Sequence, residues 1–197
     1  MSAPVTLPQI SYTAPGFDAA FMASLHEYGF AAVVDHPLDD DRVGRIYGEW
    51  LAFFATGGAT EFRMDPVKQD GFFSLEDAEH AKGFVERDFK EYFQFYPWGR
   101  CPESLQADLT SHFAAAVELG AELLTCIARS LPEAVTAALT EPLRDMIQGS
   151  EQSMLRVLHY PPVPTGRSVL RAAPHEDINL LTLLPAADGP GLELQLR

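Results

Sequence analysis

From Phe17 to Tyr28 the apolar side chains Phe17, Phe21, Leu25 and Tyr28 recur at helical spacing, which predicts a helix over residues 17–29. Phe30 to Val34 then reads as a short buried strand. Asp39, Asp40 and Asp41 supply a cap and first-turn acids for a second helix, whose Val43, Ile46, Tyr47, Trp50, Leu51 and Phe54 share one face. Those aromatics read as core rather than as a cofactor box, and Gly57-Gly58 ends the helix. A polar, irregular stretch follows from Thr60 to Cys101. A long helix is predicted from Ser104 to Ser130, with Leu105, Leu109, Phe113, Val117, Leu124 and Ile127 at helical spacing. Pro132 opens a further helix that ends near Gly149. From Gln152 onward the period changes to two. The expected organisation is α+β: a mainly helical region over 1–150 and a strand-rich region over 151–197, with no internal repeat, low-complexity tract or clear linker.

The strand-rich region carries the candidate chemistry. Met154-Leu-Arg-Val-Leu-His-Tyr160 alternates and is closed by Pro161-Pro162; after a Pro/Gly/Thr loop, a second short segment runs from Ser168 to Ala173. Then comes His175-Glu-Asp177, leading into the aliphatic run Leu180-Leu-Thr-Leu-Leu184. In extended backbone alternate side chains share a face, so His175 and Asp177 project side by side. That is the placement of two cis ligands in a 2-His-1-carboxylate site for non-heme Fe(II). The pattern alone is weak, since about 0.4 His-x-Asp triplets are expected by chance at this composition. A surface His and Asp flanking a strand start is the competing reading. None of His26, His36, His80, His112 and His159 has a spacing that makes it a third ligand, and His159 faces away from Tyr160 by alternation.

Composition narrows the class. Hydrophobic residues make up 47% and charged residues 21% of the 197, as in ordinary packed domains. The net charge of -14 argues against nucleic acid and anionic membrane surfaces as partners, because both require a basic footprint. Cys101 and Cys126 are isolated thiols without metal-type spacing, which points to a reducing, cytoplasmic compartment. No signal peptide or membrane span is expected.

The run from Leu155 to Leu196 resembles the core of the isopenicillin N synthase-like family of Fe(II)- and mostly 2-oxoglutarate-dependent oxygenases. The matching residues are Tyr160-Pro161, His175-Glu-Asp177, Leu180-Leu-Thr-Leu-Leu184 and Gly191-Leu192. In the N-terminal half, Leu7-Pro-Gln-Ile-Ser11 is similar to the family's opening strand. Tyr28-Gly-Phe30 with Asp35-His-Pro-Leu38, and Phe53-Phe54, resemble two further family segments. Arg87-Asp-Phe-Lys-Glu91 and Tyr96-Pro-Trp-Gly-Arg100 fit a connector typical of bacterial members. The likeness covers nearly all of this chain but the first two-thirds of such an enzyme.

The resemblance implies a helical region followed by an incomplete double-stranded β-helix, or jelly roll. Such a fold needs about eight strands, and four candidates follow residue 151. Gly191-Leu-Glu-Leu-Gln-Leu-Arg197 alternates as half of a sheet pair, so Leu192, Leu194 and Leu196 need a facing layer. The expectation is a part of a longer protein, or a short form completed by another chain, with self-association through an unpaired strand edge.

The resemblance also implies Fe(II) held by His175 and Asp177, with 2-oxoglutarate and O2 as cosubstrates and a small, carboxylate-bearing substrate. Tyr160 stands where the family places a tyrosine that helps hold a carboxylate; a half-buried packing aromatic is the alternative. Leu158 replaces the Asn often found two residues earlier, and the family's second His and Arg-x-Ser are absent. Arg156 shares a face with Leu158 and Tyr160, so it meets either an anionic substrate or a rim carboxylate. Arg171 and Asn179 line the pocket mouth or lie on the surface. Arg87, Lys90 and Arg100 form a basic island, either a solvated face or a substrate anchor. The resemblance implies hydroxylation, desaturation or cyclisation by the complete protein. A non-catalytic fragment or interaction protein, and an iron oxidase independent of 2-oxoglutarate, stay open as alternatives.

Overall fold

In the computed structural model, residues 6–56, 60–78, 87–166 and 168–194 are described. The chain divides into two compact units, one of residues 1–38, 115–148 and 183–197, the other of residues 39–114 and 149–182.

In the first unit, β1 (Gln9–Ser11) pairs in parallel with β2 (Ala32–Val34), Ile10 opposite Val33, and α1 (Phe17–Tyr28) lies between them in sequence. Gly29 ends α1 in left-handed backbone, φ 72°, returning its N–H to the Leu25 carbonyl. The helix falls where the pattern places it and β1 where the resemblance does; β2 is shorter than the buried strand expected over 30–34, part-buried, with Phe30 exposed. Phe21 is buried, and Phe17 stacks on it at 5.4 Å between centroids. Glu103–Ser130 forms the long α3, whose second half gives this unit Leu119, Leu123 and Leu124, all buried. By length and composition α3 would also suffice for a membrane span, a property it shares with packed core helices.

The helix expected from Pro132 to Gly149 is a single turn, α4 (Glu133–Thr136). Pro142 keeps the turns on its two sides from joining into one helix. It donates no N–H and disfavours helical backbone at Glu141, and a new turn begins there, with Asp145 and Met146 donating to the Pro142 carbonyl.

The second unit holds the candidate site. Its α2 (Asp40–Ala55) is capped by Asp39, whose carboxylate accepts the Arg42 N–H at 3.1 Å. Gly57-Gly58, the predicted stop, lies outside the described residues. The sheet has order β3 (Gly71–Phe73), β4 (Glu91–Phe95), β5 (Leu155–His159), all antiparallel. Two of these strands come from the stretch expected to be irregular. β3 starts at Gly71, φ 104°, where a Cβ would lie 2.4 Å from the Phe62 carbonyl oxygen, so only glycine fits. In β4, Phe93 and Phe95 point to one face and Tyr92 and Gln94 to the other, and all four are buried. Burial on both faces erases the alternation that would reveal a strand.

Trp50, Ile46, Phe93, Phe95, Leu109 and Val157 form the core of this unit, with Phe53, Phe54 and Phe62 packed against it. The face predicted for α2 is right at Ile46 and Trp50; Leu51, at its edge, is 53% exposed.

Of the four strand candidates after residue 151, β5 alone is a strand among the described residues. Among the described residues from Tyr160 to Leu194 no ladder forms, and Ile178, Leu180, Leu184 and Leu192 are exposed. Among the described residues no strand runs beside them to take up their backbone groups, so apolar alternation alone does not make a sheet. Leu196 lies outside the described residues.

Trp50→Ala should destabilise the protein by about 3–5 kcal/mol through the cavity it leaves, whereas Leu51→Ala should stay within about 0.5 kcal/mol. Urea denaturation of both variants checks the pair.

Candidate metal centre

Tyr160 follows β5 directly, and Pro161-Pro162 cannot donate to the ladder, so the chain leaves the sheet there. The Tyr160 side chain is half-buried, and its hydroxyl makes no hydrogen bond to another described residue. In register, Arg156 opposes Gln94 and Leu158 opposes Tyr92, so all four share the face opposite Trp50. The Arg156 guanidinium lies 4.6 Å from the Tyr92 ring centroid and donates to Gln94 Oε1 at 2.8 Å. Gln94 in turn donates to the Tyr96 hydroxyl and the Gln69 carbonyl.

His175 and Asp177 lie side by side, Nε2 to Oδ1 3.6 Å, each about half exposed. The placement is that of extended backbone, although no ladder supports it. His175 Nδ1 is 2.8 Å from the Ala173 carbonyl oxygen. A carbonyl only accepts, so Nδ1 carries the proton and Nε2 of the neutral ring keeps its lone pair. Asp177 Oδ2 accepts from Thr182 Oγ1 at 2.7 Å, and Thr182 Oγ1 accepts from Asn179 Nδ2 at 2.9 Å. One atom of each residue is thus tied back, and the other faces the gap.

Two donors about 2.1 Å from one ion at a right angle stand about 3 Å apart. A small side-chain rotation brings 3.6 Å to that value, so the pair fits a divalent cation, and imidazole with carboxylate suits Fe(II). An exposed His–Asp ion pair with a doubly protonated ring has the same geometry. No cluster of three or more His, Cys, Asp or Glu able to hold a metal occurs among the described residues. His80 lies outside them. His159 is occupied elsewhere, stacked on Phe54 at 5.2 Å with Nδ1 2.7 Å from Glu91 Oε1. Burial pushes the Cys101 thiol up to about 12 and the Cys126 thiol up to about 11, so neither offers a thiolate at neutral pH.

Comparison with known proteins points the same way. The chain is 25% identical over 206 residues to 2-oxoglutarate-dependent dioxygenase htyE of Aspergillus rugulosus, covering 91% of this chain and 61% of that protein. It is 27% identical over 214 residues to 2-oxoglutarate-dependent dioxygenase ucsF of an Acremonium species, covering 90% and 60%. A solved structure from Shewanella oneidensis, described only as an oxygenase, is 42% identical with TM-score 0.79, over 89% of this chain and 64% of that one. The similarity is thus to proteins named 2-oxoglutarate-dependent dioxygenases and to an oxygenase of solved structure. A 2OG-Fe(II) oxygenase family structure from Caulobacter crescentus shares the fold at 22% identity, TM-score 0.58, over 81% of this chain and 57% of that one. No family model matches. The chain spans about three-fifths of the length of the curated relatives it matches.

The remaining candidates separate in the structure. Arg171 is exposed and makes no hydrogen bond or ion pair to another described residue. Asn179 acts on Thr182 rather than facing the gap. The basic island dissolves: Arg87 donates to the Ala78 carbonyl, Lys90 pairs with Asp88, and Arg100 pairs with buried Asp70. Thr182, which holds the carboxylate, was not picked out by sequence reasoning. Its signal was a lone polar residue in Leu180-Leu-Thr-Leu-Leu184, five positions after Asp177.

Thr182→Val should free the Asp177 carboxylate and weaken Co(II) binding at the pair about 10-fold. Stability should stay within about 0.5 kcal/mol, since these groups are exposed. Calorimetric titration and thermal unfolding check both halves.

Proposed function

We propose that this chain forms part of a cytoplasmic non-heme Fe(II), 2-oxoglutarate-dependent oxygenase. It oxidises a small, carboxylate-bearing molecule by hydroxylation, desaturation or cyclisation. The observation that carries the reading is the His175–Asp177 pair, whose Nε2 and Oδ1 face one another at 3.6 Å while Nδ1 and Oδ2 are tied back. The relatives' names supply the cosubstrate. Residues 1–150 are the mainly helical region in this reading, and residues 151–197 the first part of the iron-binding jelly roll. Free thiols at Cys101 and Cys126 fit a reducing compartment.

The ion, when bound, supplies redox activation of O2. The protein's part is to hold and orient. His175 offers Nε2 in a fixed tautomer, Asp177 offers Oδ1 as a monodentate ligand, and Thr182 keeps the other oxygen away. Tyr160 offers a hydroxyl without a partner among the described residues, suited to a carboxylate of cosubstrate or substrate. Arg156, on the same strand face, and Arg171 supply positive charge for a substrate carboxylate, and Asn179 steadies Thr182 at the rim of the pair. The exposed Leu180, Leu184 and Leu192 support association with further strands or with a second copy.

Two expectations test this in the whole protein. His175→Ala and Asp177→Ala should each abolish iron retention and turnover; iron stoichiometry by metal analysis decides, and unchanged content in both would sink the assignment. Tyr160→Phe removes a charge-assisted hydrogen bond of roughly 1.5–3 kcal/mol. It should therefore raise the apparent constant for the carboxylate about 10- to 150-fold with iron bound as before. Equal affinities for 2-oxoglutarate and candidate acids would return Tyr160 to a packing role.

A further inference from the structure

Asp88 and Lys90 lie just before β4 and are 4% and 6% exposed, with Asp88 Oδ2 2.8 Å from Lys90 Nζ. A carboxylate and an ammonium removed from water are tolerated only when paired and hydrogen-bonded. The second oxygen, Oδ1, is spent on a backbone group 85 positions away: it accepts the Ala173 N–H at 2.9 Å. Between the two charges, the Phe89 N–H donates to the Leu170 carbonyl at 2.8 Å. Asp88 and Phe89 therefore serve as the partner of a segment that has no strand beside it among the described residues.

Ala173 is where this grip meets the metal centre. It is 2% exposed, its N–H is held by Asp88, and its carbonyl accepts the His175 Nδ1–H. Pro174 restricts Ala173 to extended backbone and brings no N–H of its own to compete. Fixing Ala173 fixes the direction of its carbonyl, which fixes the tautomer and tilt of the ring.

We propose that Asp88, held by Lys90, is a positioning residue for the His175–Asp177 centre, setting the Nδ1–H tautomer of His175 through Ala173 and leaving Nε2 available to a divalent cation. This rests on the metal-centre reading for its purpose, though not for its geometry. Neither residue touches the gap itself. They act from behind, as outer partners of histidine ligands do.

The test is long-range 15N–1H correlation spectroscopy of His175 in metal-free protein, with Co(II) titration alongside. The wild-type ring should be the Nδ1–H tautomer. Asp88→Leu combined with Lys90→Met replaces the pair as a unit, a change that buried ion pairs commonly tolerate. It should move His175 toward the Nε2–H tautomer that free imidazole favours in water, and weaken Co(II) binding about 10- to 100-fold. Asp88→Asn with Lys90→Met keeps an oxygen able to accept from Ala173, and should restore both signatures to near wild type. A wild-type ring in the Nε2–H form overturns the proposal without any substitution. So does a Leu/Met variant whose tautomer and Co(II) affinity match wild type. If no variant binds Co(II) but the tautomer still follows Asp88, the positioning stands and the metal-centre reading falls.

Discussion

The packing of Trp50 on Phe93 decides which side chains the second unit offers to chemistry. Their rings lie 4.6 Å apart between centroids, both at 1% exposure or less. Each such aromatic buries about 150–250 Å², worth roughly 4–6 kcal/mol as an upper figure. Strand side chains alternate, so seating Phe93, Phe95 and Val157 against Trp50 sends Tyr92, Gln94, Arg156 and Leu158 to the other face. A one-residue slip of β5 would press Arg156 and Leu158 toward Trp50 and turn Val157 outward. An apolar contact thereby fixes the direction of a guanidinium that never touches it.

Beyond β5 the governing rule changes from burial to hydrogen-bond supply. The chain from Leu170 to Asp177 has no strand partner among the described residues, yet its backbone groups still require partners wherever they are buried. Phe89 and Asp88 provide them, and Ala173 is the buried point at which they take hold. From there the chain emerges into solvent, and the His175–Asp177 geometry is maintained by two short local loops of hydrogen bonds, through Ala173 and through Thr182. Bonds of this kind contribute only about 0.5–1.5 kcal/mol each. The pair is therefore oriented by hydrogen bonds, those at Ala173 anchored in turn on buried Asp88, rather than by apolar packing.

The sequence was most legible where one face of an element is buried and the other wet. Asp39 announces α2 by its cap, and Ile46 and Trp50 mark its inner face. The three-residue strands β3 and β4's buried run were illegible for the opposite reason: Phe72 and Phe73, like Tyr92 to Phe95, are apolar or covered on both sides and show no period. The aliphatic run after Asp177 misled in the other direction, since alternation there signals what a strand could become beside a partner. In the proposed site, His175, Asp177 and Tyr160 were visible because ligand chemistry restricts residue type. Thr182, Ala173 and Asp88 were not, because a hydroxyl, a backbone carbonyl and a distant carboxylate acquire their roles only once folding brings them together.

The contrast among ion pairs sharpens what the Asp88–Lys90 contact is for. Arg45–Asp108 and Arg129–Asp18 sit at the surface, where such pairs contribute little and are screened by salt. Asp88–Lys90 is almost wholly out of water, where desolvation can exceed the attraction and well-packed apolar residues are often the more stable choice. Stability is thus a poor explanation for placing two charges there. A carboxylate does, however, give something no apolar side chain can: two oxygens, one for the ammonium and one for the Ala173 N–H. The lysine compensates the charge, and the aspartate thereby becomes a fixed acceptor inside the protein, aimed at the one residue whose carbonyl orients His175.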